Sequence, residues 1–71
     1  MKIGDTFEIT KEFIDLPGSE FQTTFSPGDR FKVIGYDSIR GYDIQNVVTG
    51  EKILETRFIF SNLEFKLIKE E

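Results

Sequence analysis

Pro27-Gly28-Asp29-Arg30-Phe31-Lys32-Val33-Ile34-Gly35-Tyr36 carries the fold in miniature. In Ser26-Pro27-Gly28-Asp29, proline presets the first central residue of a turn and glycine accepts a positive φ at the second, the chemistry of a type II turn. Beyond it Arg30, Phe31, Lys32 and Val33 alternate polar and apolar, the period of a half-buried strand. The same device stands at the N-terminus, where Ile3-Gly4-Asp5-Thr6-Phe7-Glu8-Ile9-Thr10 repeats the Gly, Asp and Phe, and Ile9 matches Val33. A weaker echo joins Gly18-Ser19-Glu20-Phe21-Gln22 to Gly41-Tyr42-Asp43-Ile44-Gln45. Each is a glycine turn delivering the chain into a strand, and one period seen twice is too little for a repeat array.

Outward from this stretch the pattern predicts five strands, over residues 6–13, 29–36, 42–48, 51–58 and 64–68. Val48-Thr49-Gly50-Glu51 reads as a tight hairpin, a type I turn with Gly50 left-handed in a bulge. Leu16-Pro17-Gly18-Ser19 is a second type II turn inside the long segment 14–25, which keeps two phenylalanines and reads as an ordered loop or irregular hairpin. Phe58-Ile59-Phe60-Ser61-Asn62-Leu63 is too short for an α-helix and predicts a 3₁₀ turn before the last strand. Alternation places Phe7, Ile9, Phe31, Val33, Ile44, Leu54, Phe65 and Leu67 on one inward face. Ile14, Leu16, Phe21, Phe25 and Ile39 are among the apolar residues left over, expected to form a second small core beneath the long loop, with any remainder exposed as a partner surface.

Composition agrees: Val, Ile, Thr, Phe and Tyr supply 28 of 71 residues, and there is no alanine. The length is that of one small domain without staples, since cysteine and histidine are both absent. That absence excludes disulfides, thiolate or imidazole metal ligands, and Cys–His or Ser–His catalysis. No apolar run is long enough for a membrane span or a signal peptide, so the expectation is a cytoplasmic protein with no membrane role. The net charge of −4 has the wrong sign for a general phosphate-binding surface. Acidic residues dominate 1–29, whereas 30–71 are balanced.

Strand, long excursion, three-strand meander with a tight glycine hairpin, one 3₁₀ turn and a closing strand: this order resembles the Src-homology-3-like small β-barrels over nearly the whole chain. The residues that carry the resemblance are 27–34, Gly41-Tyr42-Asp43-Ile44, Thr49-Gly50-Glu51 and Asn62-Leu63-Glu64-Phe65. It implies an all-β, five-stranded barrel with a long first loop. The polyproline groove of its peptide-binding members rests on a tryptophan and a Tyr-rich loop, both missing here. Relatives with the KOW motif bind nucleic acid but are generally basic.

The most site-like segment is Gly35-Tyr36-Asp37-Ser38-Ile39-Arg40-Gly41-Tyr42-Asp43, in which Gly-Tyr-Asp recurs after six residues around a Ser-Ile-Arg tip. Two tyrosines flanking an arginine offer stacking, cation–π contact and hydrogen bonds. Its bland counterpart has Tyr42 capping the core, Tyr36 covering a barrel end and Arg40 paired with Asp37 or Asp43. Carboxylates such as Asp5, Asp29 and Asp43 are explained by Gly-Asp turns, and no cofactor or metal motif is present. The leading expectation is a non-enzymatic interaction module that binds another macromolecule, a protein, through Tyr36, Asp37, Arg40 and Tyr42. The alternative is a nucleic-acid-binding barrel using Arg30, Lys32, Arg40 and Arg57 with the two tyrosines. A small enzyme with a carboxylate site is the third reading.

Overall fold

The computed structural model describes residues 1–54 and 56–68. Among these residues seven strands make two antiparallel sheets: β1 (Thr6–Ile9), β2 (Phe13–Asp15), β3 (Thr23–Phe25), β4 (Arg30–Asp37), β5 (Gly41–Asn46), β6 (Lys52–Ile53) and β7 (Phe65–Ile68). The larger sheet runs β6-β5-β4-β1-β7, and β2 pairs only with β3. The chain is thus all-β, as its composition requires. The expected closed five-stranded barrel is not what forms among the described residues, because β6 and β7 stand at opposite edges of an open sheet.

Two strands differ from expectation: the one expected over 6–13 ends at Ile9, and Phe13 instead begins β2 of the smaller sheet. The strand expected over 51–58 contracts to Lys52–Ile53, because residues 57–62 close into turns; residue 55 lies outside the described residues. The expected 3₁₀ turn is present in one bond, within turns otherwise closed over four residues. The Phe60 and Leu63 amides donate four residues back to the Thr56 and Ile59 carbonyls, at 3.0 Å each, and only Asn62 makes the shorter-range bond to Ile59. The long segment 14–25 is a hairpin, as one expected form had it, its Leu16–Ser19 turn closed by a 3.1 Å bond with Gly18 at φ 81. Phe25 on β3 is fully buried in the main core, so the leftover apolar residues build no second one.

Phe7, Ile9, Phe31, Val33 and Ile44 are buried on one face of the sheet, with Ile59 and Leu63 from the turns beneath it. Phe65 is half-buried against them, as its register opposite Ile9 demands. Leu54 and Leu67 were expected inward and are each 54% exposed. Leu67 does share a face with Phe7, its register partner, but among the described residues β7 is the sheet edge, where its side chain stays exposed. Leu54 follows the end of β6, where alternation no longer governs the side chain.

One bulge interrupts β4. β4 pairs Val33 with Ile44 and then Gly35 with Asp43, so Ile34 is an extra residue without an opposite number. An extra residue inverts alternation beyond it. Tyr36, opposite Tyr42, therefore shares the face of Val33 and Ile44, while Gly35 and Asp43 turn to the other side.

Candidate functional site: the β4–β5 hairpin and the turns beside it

Asp37 builds the hairpin tip. Its Oδ1 accepts the Ile39 and Arg40 amides at 2.8 and 3.1 Å, which replaces missing ladder bonds with an Asx turn. These two amides, and then the nearby Arg40 charge, hold the Asp37 carboxyl below its ordinary range. Gly41 closes the turn at φ +85, and its Cα faces the chain at Arg57 so closely that a Cβ would lie 2.8 Å from Arg57 N and Cα. The expected glycine is thus required twice, by conformation and by space.

The approach is made by hydrogen bonds between the hairpin and the turn segment. Arg57 N donates to Arg40 O at 3.1 Å, Arg57 Nη1 to Ile39 O at 3.3 Å, and the buried Thr56 hydroxyl to Tyr42 O at 2.6 Å. The Arg57 guanidinium lies 5.6 Å above the Phe58 ring. Around this frame the surface is apolar: Tyr36 is 58% exposed, Ile39 73% and Phe58 78%. Tyr36 contacts Tyr42 at 4.9 Å between ring centres, and Tyr42 is half-buried against Phe60 and donates its hydroxyl to Met1 O at 3.4 Å. Tyr42 thus caps the core and Tyr36 rests upon it in the open.

The remaining expected site residues lie elsewhere. Arg30 and Lys32 precede the bulge and point to the opposite face of the sheet, where Arg30 Nε sits 3.0 Å from Glu8 Oε1. Arg30 and Lys32 cannot join the two tyrosine rings on one surface, as the nucleic-acid alternative required. Asp43 also lies on that opposite face, its Oδ1 buried without a hydrogen-bond partner. Ile39, Arg57 and Phe58 make up much of the exposed surface here, and Phe58 was read as the end of a strand. Only the four-residue Thr56-to-Phe60 bond reveals that Phe60 and Ile59 turn inward and Phe58 outward.

Comparison of the chain with family models, with curated proteins and with solved structures finds no match in any of the three. Among the described residues no helix is long and apolar enough to cross a membrane, and no group of three or more carboxylates converges.

Proposed function

We propose that this chain is a non-enzymatic interaction module, an open relative in form of the Src-homology-3-like barrels, that docks another protein on the face made by Tyr36, Ile39, Arg57 and Phe58. The barrel-like reading is supported by the meander β4-β5-β6, the long excursion between β1 and β4, and a closing strand laid beside β1. The functional reading rests on one observation: three large apolar side chains stand exposed on two segments that Arg57 and Thr56 fasten together. Apolar groups held on a fixed frame lose little entropy on binding, and aromatic and arginine side chains supply most interface energy. Asp37 and Glu8 are engaged by backbone amides and cations respectively, so neither is left as a general base.

The test is quantitative affinity capture from the native host with Phe58→Ser and Tyr36→Ala, against Val48→Ser at the exposed distal hairpin as control. Each site variant should weaken a partner's binding by about 1 kcal/mol or more while Val48→Ser leaves it unchanged. Equal recovery by all four proteins contradicts the proposal.

A further inference from the structure

The face of the large sheet turned away from the core carries a basic band in a molecule of net negative charge. Register fixes its members: Lys66, Glu8 and Arg30 form one row across β7, β1 and β4. Ile68, Thr6, Lys32, Gln45 and Lys52 form the next row, across all five strands. These two rows therefore hold four cations and one carboxylate, Glu8, in a chain of net charge −4; Asp43 and Asp37 share the face farther along β5 and β4. Glu8 is flanked by Arg30 at 3.0 Å and Lys66 at 3.5 Å, which keeps its carboxyl below the ordinary range. Lys32 and Lys52 are exposed and make no ion pair among the described residues.

We propose that this outer face, through Lys32, Lys52, Arg30 and Lys66, binds the phosphate backbone of a nucleic acid duplex. The side chains on the face decide the class of partner. It presents no aromatic ring, since Phe7, Phe31, Tyr36, Tyr42 and Phe65 all lie on the other side, so it offers no platform for unstacked bases. The single large apolar side chain in its two rows is Ile68, half-buried at the sheet edge, and Val47 beside Arg30 is too small an anchor to give an acidic protein much energy. What remains is charge, and a duplex concentrates about one negative charge per 1.7 Å of axis and releases counterions when neutralised. Net charge does not forbid this: screening acts over about 8 Å in physiological salt. The molecule measures 39 × 27 × 22 Å, and Glu12, Asp15 and Glu20 belong to the separate β2–β3 hairpin region.

The experiment is fluorescence anisotropy of a labelled DNA duplex of about 20 base pairs titrated with the full chain, starting near 50 mM salt. Binding should weaken with a log–log salt slope of about −2 to −4, matching up to four phosphate contacts. Lys32→Glu with Lys52→Glu should lower affinity at least tenfold, Lys32→Arg with Lys52→Arg should retain it, and circular dichroism should be unchanged in both. Phe58→Ser should bind the duplex normally, so this proposal stands or falls separately from the docking face. Any one of three results overturns it: no binding at low salt, affinity indifferent to the charge reversal, or tighter binding of the matching single strand or of polyglutamate than of the duplex.

Discussion

Gly41 and Gly50 separate two reasons for glycine. Both hold a left-handed φ, +85 and +78, but only Gly41 faces backbone atoms, whereas a Cβ at Gly50 meets nothing within 4 Å. Gly50→Ala should therefore cost about 1–2 kcal/mol, the conformational term alone, and Gly41→Ala clearly more, measured by chemical denaturation. Equal costs would mean that the hairpin and Arg57 do not approach as described. Thr56→Val keeps the volume and removes the fully buried hydroxyl that donates to Tyr42 O, so a loss of about 1–3 kcal/mol is expected. The depressed carboxyls give a pH signature. Glu8 and Asp37 are more acidic folded than unfolded, so the stability they confer is complete above the unfolded values and disappears as pH falls below about 4. Asp37→Asn should flatten that acid limb in a denaturation series; an unchanged limb would remove Asp37 from the account.

At the scale of the element, the bulge at Ile34 decides what the sequence could and could not reveal. Period-2 alternation correctly placed Phe7, Ile9, Phe31, Val33 and Ile44 inward, and turn chemistry correctly placed glycines with positive φ at Gly18, Gly28 and Gly50. It could not show that β4 inverts at Ile34, because a bulge adds one residue without any special composition. Tyr36 and Arg30 were accordingly grouped as one site although they occupy opposite faces. The turn at 57–62 was partly legible for a related reason: its length excludes an α-helix, but whether its bonds span three or four residues depends on tertiary anchors such as Thr56 on Tyr42. Deleting Ile34 should remove the bulge and leave Gly35 opposite Asp43 and Tyr36 opposite Tyr42, still on the face of Val33. The nuclear Overhauser contacts between the Tyr36 and Tyr42 rings, 4.9 Å apart, should then persist; their loss would show that Ile34 was a paired residue and refute the bulge.

Across the whole molecule, aromatic rings form a continuous path from one surface to another. Tyr36 touches Tyr42, Tyr42 touches Phe60, Phe60 touches Phe7, and Phe31 and Phe25 carry the contact on to Phe13, with centroid separations of 4.9 to 6.2 Å. The path ties the β2–β3 hairpin, the sheet and the β4–β5 hairpin into one packing unit. Cutting it at its middle with Phe31→Ala should cost about 3–5 kcal/mol, a large part of the stability of so small a chain. The central claim is that the exposed groups on the β4–β5 hairpin and its neighbouring turn are a protein-docking face. A photo-crosslinking residue at position 39, with a second protein carrying it at position 48, tests this most directly in the native host. The account predicts a saturable cross-link from position 39 to one partner, abolished by Phe58→Ser and absent from position 48. Cross-linking that is equal at both positions, or indifferent to Phe58→Ser, would contradict it.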